Sequence, residues 1–293
     1  MKICRFDDNR VGVIEGDTVR DVTSVTEDLP SLRWPLPFGD PFIAALPELR
    51  SRLEAEAKAA PSILVSEVRL LSPVANPGKI IGIGRIYKAH AEEAMSDPGI
   101  AHGHKVETDP DTIRMLLKAN TALVGPSEGV PLRFLDRRND HEMEFAIVIG
   151  RKGTDIPAER ALEHVAGYCI GLDMSLRGPE LPSSRKSIDG YAVLGPWLTT
   201  TDEISDPDSI GFSLGVNGEV RQRSNTSELA FDIRSIIENA ASFYTLYPGD
   251  IVMTGTPEGV GPVHPGDIIE AQCDKVGRMT VEVRAHQPGE LAR

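Results

Sequence analysis

Cysteine, aromatic residues, positive charge and long apolar runs are all scarce in this chain of 293 residues. Its three cysteines, Cys4, Cys169 and Cys273, lie far apart in no CxxC or zinc-binding spacing, so we expect reduced thiols in a cytoplasmic protein. No apolar stretch approaches the roughly 20 residues of a membrane span. The opening sequence MKICRFDDNR also lacks the apolar core of a secretion signal. We therefore predict a soluble protein with no membrane partner.

The shortage of positive charge narrows the range of partners. The chain carries 31 Lys and Arg against 44 Asp and Glu, a formal net charge of −13. Because phosphate repels such a surface, nucleic acid is not expected as a partner. A small anionic substrate remains compatible with this composition if a local positive site receives it. An excess of carboxylates is also what a cation site requires.

Several common catalytic motifs are missing. No GxSxG nucleophile elbow occurs, which argues against a serine hydrolase of that type. The Gly-x-Gly at Gly82 and Gly84 is not completed to GxGxxG, because Tyr87 occupies the third glycine position. The glycine-rich segment 255–261 (GTPEGVG) lacks the Gly-Lys-Ser/Thr ending of a phosphate-binding loop. We therefore reject both nucleotide-binding motifs.

The first 72 residues are predicted to form a small β-rich domain, followed by a larger domain over residues 73–293. Alternating residues predict three short strands, at 2–6, 10–15 and 18–22, and an Ala, Glu, Leu and Arg-rich stretch predicts a helix over 42–59. A proline-rich run at 71–77 separates the domains.

The larger domain is predicted to consist mainly of strands joined by glycine and proline turns. Two Pro-Gly-Asp turns, at 248–250 and 265–267, each precede an apolar strand. The other predictions are a short strand at 79–83, helices at 87–95 and 158–166, a buried strand at 142–150 and a mobile loop at 96–112.

The segment DHEMEFAIVIG, residues 140–150, carries the strongest chemical signal. On a strand, Glu142 and Glu144 share one face, and two adjacent carboxylates beside an apolar run are costly unless a cation or proton is shared. The alternative is a solvated strand edge. Asp173 interrupts a second apolar strand and supplies a third acid. Three carboxylates without a histidine or cysteine cluster suit Mg²⁺ or Mn²⁺, with Ca²⁺ as a further alternative.

A histidine and cations complete the candidate chemistry. On a helix, His90 and Glu93 lie on one face, where the carboxylate orients the ring and raises its basicity for activating water. The alternative is a surface histidine beside a helical acid. The cations Arg177, Arg185 and Lys186 follow Asp173 along the chain and, together with the acids, form a candidate site for carboxylate or enolate oxygens. The alternative for each of them is an ordinary surface charge.

The ordered segments GIGRIYKAHAEE, LLKANTALVGP, HEMEFAIVIG, GYCIGLDMSLRG, RKSIDGYAVLGPW, VNGEVRQ and LYPGDIVMTGTPEGVGPVHPGD resemble the fumarylacetoacetate hydrolase family over residues 79–285. The resemblance implies an α+β, mostly β fold, a mixed β-sandwich roll, in a homodimer that binds Mg²⁺ or Mn²⁺. It further implies cleavage of a C–C bond in a 1,3-diketo or 2-oxo acid of acylpyruvate or fumarylpyruvate type, as in aromatic compound catabolism.

The resemblance also assigns roles to individual residues. It places the metal ligands at Glu142, Glu144 and Asp173, and the water-activating pair at His90 and Glu93. Lys186 is expected to bind substrate oxygens or a developing oxyanion. The expected substrate-binding residues are Arg85, Tyr87, Lys118, Arg177, Glu180 and Thr256. The long segment 96–112 is expected to act as a lid.

The chain departs from the family pattern at three positions. Ile86 replaces an asparagine, Ala119 replaces a proline, and Glu180 stands where many members have glutamine. The last change puts negative charge near the substrate, so substrate identity does not transfer directly. Isomerisation or hydration of 2-hydroxydienoates, decarboxylation of oxaloacetate, and a non-catalytic metal-binding relic are the alternatives that remain open.

Overall fold

The structure is a computed structural model that describes residues 1–84, 86–101 and 112–289. Within these ranges it contains three β-sheets and five α-helices. The predicted α+β, mostly β class is confirmed. None of the helices in the described ranges is long and apolar enough to cross a membrane.

The largest sheet of the described chain has twelve strands and supports the candidate site. Its strands are β1 (Lys2–Phe6), β2 (Arg10–Glu15), β3 (Thr18–Asp21), β4 (Ser62–Leu64), β5 (Leu70–Leu71), β6 (Ile80–Gly84), β7 (Arg114–Lys118), β8 (Leu123–Val124), β11 (Met143–Ile149), β12 (Val165–Asp173), β14 (Ala192–Thr200) and β17 (Ile251–Met253). The main order is β4-β3-β2-β1-β14-β12-β11-β17-β6-β7, with β5 paired to β1 and β8 to β14. The three strands β12, β11 and β17 are central and antiparallel, whereas β17 and β6 run parallel.

Two smaller sheets and the helices complete the described fold. One sheet has the order β13-β10-β18, formed by β10 (Asn139–His141), β13 (Ser175–Leu176) and β18 (Gly261–Pro262). The other has the order β16-β15-β19-β20-β9, formed by β9 (Val130–Leu132), β15 (Gly211–Val216), β16 (Glu219–Asn225), β19 (Ile268–Cys273) and β20 (Gly277–Ala285). The helices are α1 (Pro41–Ala59), α2 (Lys88–Ser96), α3 (Pro98–Ala101), α4 (Pro182–Lys186) and α5 (Ile233–Phe243).

Strand β11 separates two apolar cores, which explains why it is buried along its whole length. Phe145 and Ile147 pack into the core shared with the five-stranded sheet and α5. Ala146 and Val148 pack into the core beneath α1. Side chains alternate along a strand, so Glu142 and Glu144, which are two residues apart, lie on a common face.

The N-terminal strands continue the sheet of the rest of the chain. Strand β1 pairs with β14, where Lys2 lies opposite Thr199. Ile3 and Val13 share one core with Val148 and Leu194 from the larger segment. The division into residues 1–72 and 73–293 stays a prediction. The shared core couples the folding of the two parts, because residues of both bury their side chains in it.

Two sequence expectations differ from the structure in detail. The helix predicted over 158–166 is a 3-10 helix over Ala158–His164, and it ends two residues early because strand β12 begins at Val165. Part of the loop expected at 96–112 is the short helix α3. The remaining residues of that expectation, 102–111, lie outside the described residues, and so does most of the predicted lid.

Both Pro-Gly-Asp turns form where the sequence places them. Gly249 and Gly266 have φ angles of +85° and +97°, a region that favours glycine, and each turn leads into β17 or β19. Asp250 then closes its turn by accepting hydrogen bonds from the backbone of Tyr247 and Lys79, both at 2.8 Å.

Replacing Asp40 by alanine is expected to destabilise the protein by about 3 kcal/mol, because the loss of a helix cap combines with newly unpaired backbone groups. Buried Asp40 caps α1 by accepting from the backbone of Phe42 and Ile43 and also accepts from Ala75 and Asn76, each bond between 3.0 and 3.2 Å. Urea unfolding measures the effect.

Asp8→Ala is the control for this experiment, because it removes an exposed aspartate from a turn. Equal free energies of unfolding for the two variants would contradict the anchoring role of Asp40.

Candidate active site and metal centre

The three predicted metal ligands lie together at one end of the central strands. Oxygen atoms of Glu142, Glu144 and Asp173 are all within 4.8 Å of one another, and all three side chains are buried. The backbone joins their strands at this point, because the Asp173 N–H donates to the Glu142 carbonyl at 2.8 Å. The Glu142–Glu144 pair is therefore part of a buried acid cluster rather than a solvated strand edge.

Buried cations surround the acid cluster. Lys186 Nζ donates to Glu142 Oε2 at 2.6 Å and to Asp173 Oδ2 at 2.5 Å. Lys118 Nζ contacts the other oxygen of Asp173, and Arg177 Nη2 donates to Glu142 Oε1 at 2.7 Å. The fold therefore brings acids and cations that are far apart along the chain into one compact ionic network.

This network shifts the pKa values of its members. Burial alone raises the pKa of Glu142, but Lys186 and Arg177 outweigh it and hold that pKa well below its usual range. Burial and the neighbouring Asp173 raise the pKa of Glu144 well above its usual value. Burial lowers the pKa of Lys118, although Asp173 opposes this effect. Glu144 is the one acid of the three without an ion pair among the described residues, and a cation bound at the cluster would stabilise its charged form.

The donor set fits a hard divalent cation. Only carboxylate oxygens form the cluster, which is the ligand type that Mg²⁺, Mn²⁺ and Ca²⁺ prefer. Each carboxylate oxygen has two acceptor positions, so the contacts with Lys186, Lys118 and Arg177 leave acceptor capacity on the same carboxylates. Glu144 contacts the backbone N–H of Gly255 at 2.7 Å through Oε2 and also retains Oε1.

His90 and Glu93 form the predicted pair on α2. His90 Nδ1 lies 2.9 Å from Glu93 Oε2, so Nε2 is the ring nitrogen left for the cavity. Glu93 is itself fixed, since its Oε1 accepts from the backbone N–H of Gly259 at 2.9 Å. The glycine-rich segment that resembles a phosphate loop therefore orients a carboxylate.

A cavity of about 320 Å³ brings the acids, His90 and several cations to one surface. Glu142, Glu144 and Asp173 line it together with His90, Arg177, Lys186 and Thr256. Apolar side chains from β6, β7 and α3 form part of its wall, including Ile83, Leu116 and Ile100. The space suits a small polar molecule with an apolar portion.

Not every predicted site residue lines this cavity. Tyr87 is buried in the apolar core, edge-on to Phe212 with ring centroids 6.3 Å apart. Lys118 contacts Asp173 from outside the cavity lining. The Glu180 carboxylate lies outside as well, 2.7 Å from Arg137 Nη2. Arg85 lies outside the described residues.

Two residues that support the site carry no role in the sequence interpretation. Asp140 accepts from Arg177 Nε and Arg138 Nε, both at 2.7 Å, and so holds Arg177 against Glu142. Gln222 accepts from the Met143 N–H at 3.0 Å and donates to Thr256 Oγ1 at 2.8 Å. Gln222 lies within the segment VNGEVRQ that resembles the family, and Asp140 directly precedes the segment HEMEFAIVIG, but one sequence does not reveal which partners they meet.

Replacing Gln222 by leucine is expected to lower stability by about 2–3 kcal/mol, because it leaves the buried Met143 N–H without its acceptor. The variant also loses the donor to the Thr256 hydroxyl, so kcat/KM should fall as well. Chemical denaturation and steady-state kinetics measure the two effects.

Gln272→Leu is the matched control, since Gln272 is exposed on β19. The positioning role of Gln222 is contradicted if Gln222→Leu and Gln272→Leu have the same stability and kinetics.

The fold and the buried site together define a metal-dependent enzyme for small anionic carbonyl compounds. A sequence model described as the C-terminal region of fumarylacetoacetate (FAA) hydrolase matches residues 79–284. The chain belongs to the fumarylacetoacetate hydrolase family, and the predicted family and fold are confirmed.

Individual relatives support the same placement. Maleylpyruvate hydrolase of Aquipseudomonas alcaligenes is 53% identical over 288 residues, covering 97% of this chain and 100% of that protein. A maleylpyruvate hydrolase from Sphingobium sp. SYK-6, solved in complex with manganese(II) and pyruvate, has a TM-score of 0.83 and 36% identity, covering 98% of this chain and 100% of the other. A mitochondrial oxaloacetate tautomerase of Xenopus laevis is 33% identical to this chain. The match covers 91% of this chain and 82% of the tautomerase. The predictions of a hydrolase and of a divalent metal cofactor are confirmed.

Proposed function

We propose that this protein hydrolyses the C–C bond of an acylpyruvate, releasing pyruvate and a carboxylic acid, with Mg²⁺ or Mn²⁺ at Glu142, Glu144 and Asp173. The observation that carries the proposal is a single cavity lined by these three carboxylates and by His90. The similarity to maleylpyruvate hydrolase supports maleylpyruvate or a close analogue as the substrate.

In the proposed reaction, His90 acts as the general base. Glu93 holds Nδ1, and Nε2 accepts a proton from water. The water oxygen bonds to the C4 carbonyl carbon, and the C3–C4 bond then breaks with its electron pair on the pyruvate fragment. The proton returns from His90 to C3 and gives the methyl group of pyruvate. One water is consumed, and the acyl half leaves as a carboxylic acid.

Charge stabilisation in the cavity complements the base. When bound, a divalent cation polarises carbonyl oxygens and offsets substrate charge. Lys186 Nζ, already between Glu142 and Asp173, is placed to bind the oxygen on which negative charge develops. The Thr256 hydroxyl lines the same cavity and is oriented by Gln222.

Enolisation of oxaloacetate is the second candidate function. The similarity to an oxaloacetate tautomerase favours it, because both reactions stabilise an enolate of a 2-oxo acid. Isomerisation of a 2-hydroxydienoate is a third candidate. It is favoured by the similarity to solved structures of a 5-carboxymethyl-2-hydroxymuconate delta-isomerase of Mycobacterium smegmatis and a 2-hydroxyhepta-2,4-diene-1,7-dioate isomerase of Mycobacterium marinum, at 33% and 29% identity. The ordered His90–Glu93 pair argues against a non-catalytic relic.

Pyruvate release from a panel of acetylpyruvate, maleylpyruvate, fumarylpyruvate and oxaloacetate tests the proposal. We expect pyruvate and an equimolar carboxylic acid from at least one acylpyruvate with Mg²⁺ or Mn²⁺, and neither product after chelation. The acid product separates hydrolysis from decarboxylation, and oxaloacetate enolisation is followed by ultraviolet absorbance. Metal binding without acylpyruvate cleavage would contradict the proposal.

We also propose that the protein is a cytoplasmic homodimer whose N-terminal 72 residues stabilise the fold or contribute to the dimer. The three buried free cysteines support a reducing compartment. Exposed apolar side chains at Trp34, Leu36 and Phe38 support a contact surface, since Trp34 is 91% exposed. Light scattering after size-exclusion chromatography tests the dimer, and a monomeric mass would contradict it.

A further inference from the structure

Arg185 differs from the other cations that line the cavity. Lys186 and Arg177 contact acidic side chains of the cluster or of Asp140. Arg185 forms no ion pair with an acidic side chain in ranges 1–84, 86–101 and 112–289, although it is only 8% exposed and lines the same cavity. A buried guanidinium without an acidic partner is costly, which points to an anion that completes the site.

The Arg185 guanidinium is held in place by backbone carbonyls. Its Nε donates to the Glu180 carbonyl at 2.8 Å and Nη1 donates to the Leu176 carbonyl at 3.3 Å. A guanidinium has about five N–H donors in a rigid fork, so these two bonds orient the group and leave donors for a ligand. The side chain is therefore ordered before any ligand binds.

The nearby acid Glu180 is held by another arginine. Its two carboxylate oxygens accept from Arg137 Nη1 at 2.9 Å and Nη2 at 2.7 Å, so only the Glu180 backbone contacts Arg185. Burial and the neighbouring Arg177 lower the pKa of Arg185, whereas acidic neighbours raise that of Arg177. Because Glu180 is paired with Arg137, it does not compensate the positive charge of Arg185, which is available to a ligand in the cavity.

We propose that Arg185 binds the second, distal carboxylate of the substrate, so that the preferred substrates are acylpyruvates with a carboxylate at both ends. This inference rests on the proposed function and deepens it. With a divalent cation held by the acid cluster, the carboxylate and 2-oxo group of the pyruvate half would bind there, whereas Arg185 presents a separate planar donor set suited to a carboxylate. A chain with a net charge of −13 requires such local compensation to admit a dianion.

The test compares two substrates that differ at the distal end. Maleylpyruvate carries the second carboxylate on a cis alkene, and acetylpyruvate has a methyl group in place of that whole carboxyvinyl group. For Arg185→Gln, we expect the ratio of kcat/KM for maleylpyruvate to that for acetylpyruvate to fall about 10- to 150-fold, as for the loss of a charge-assisted hydrogen bond. Arg185→Lys should lower the ratio less, because it retains charge but loses the fork.

Two further variants sharpen this comparison. Arg160→Gln removes an exposed arginine paired with Glu163 and should keep the wild-type ratio. Arg114 also lines the cavity, so Arg114→Gln tests whether that arginine selects the substrate instead. The proposal is overturned if Arg185→Gln lowers kcat/KM equally for both substrates or changes it for neither. It is also overturned if only Arg114→Gln changes the ratio of the two kcat/KM values.

Ligand binding gives a second readout that does not depend on turnover. Maleate, the acid product, should raise the melting temperature of the wild-type protein more than isocrotonate, the cis monocarboxylate in which a methyl group replaces one carboxylate. Arg185→Lys should reduce this difference, and an unchanged difference would overturn the proposal. Wild-type cleavage of acetylpyruvate without any preference for maleylpyruvate overturns the Arg185 assignment alone. Cleavage of none of the acylpyruvates in the panel overturns the proposed function as well.

Discussion

Replacing His90 by alanine is expected to lower kcat for acylpyruvate hydrolysis about 10²- to 10⁴-fold, the usual contribution of a general base. His90 lines the cavity beside the acid cluster, and its Nδ1 is held by Glu93 at 2.9 Å. Without the imidazole, water must lose its proton to solvent. KM should change little, because the proposed role concerns water rather than substrate binding.

The measurement is steady-state turnover at saturating Mn²⁺, with metal content determined for each preparation. His264→Ala is the control, since His264 is an exposed histidine in the turn before β19. Glu93→Gln should give a smaller loss, because a neutral amide still contacts His90 but does not raise its basicity. Wild-type kcat in His90→Ala at equal metal content would rule out the base role.

Replacing Glu144 by glutamine is expected to weaken Mn²⁺ binding by at least about 100-fold, since even the outer partners of metal ligands contribute roughly 10- to 100-fold. Activity at limiting metal should fall in parallel. The substitution is close in shape, and a glutamine Oε1 can still accept from the Gly255 N–H. Glu142 forms an ion pair with Lys186, whereas Glu144 forms none among the described residues. The substitution of Glu144 therefore breaks no ion pair there.

Stability separates metal loss from misfolding in this variant. Because burial and Asp173 raise the pKa of Glu144, its neutral replacement should leave the metal-free protein as stable as the wild type or more so. Calorimetric Mn²⁺ titration and thermal melts of the metal-free protein provide the two measurements. Glu163→Gln, an exposed change on the 3-10 helix before β12, is the control. Unchanged Mn²⁺ affinity would remove Glu144 from the ligand set.

Local patterns predicted much of the fold correctly. The alternating residues at 2–6 and 10–15 form strands with those bounds, and the helix predicted over 42–59 begins one residue earlier at Pro41. These predictions succeed because side-chain periodicity and turn residues act over a few positions. The helix predicted over 158–166 ends at His164 instead, since strand β12 begins at Val165 and pairs with residues distant in the chain.

The site shows the same division between near and distant interactions. The Glu142–Glu144 pair and the His90–Glu93 pair each follow from spacing along one element. Glu142, Glu144 and His90 line the cavity, and Glu93 contacts His90 from behind that lining. The partners of Glu180 and Tyr87 do not follow from spacing. Arg137, more than 40 residues away, holds the Glu180 carboxylate, and Phe212 packs against Tyr87.

The sequence by itself determined the family, the mostly β fold and the candidate metal ligands, because ordered motifs and strand alternation are properties of the chain. Only the tertiary structure decided which charges compensate one another. Asp173 meets Lys118 across 55 positions and Glu142 meets Lys186 across 44, distances along the chain that no local rule spans. The same folding leaves Arg185 without an acidic partner in the described chain, since burial and ion pairing depend on contacts between distant segments.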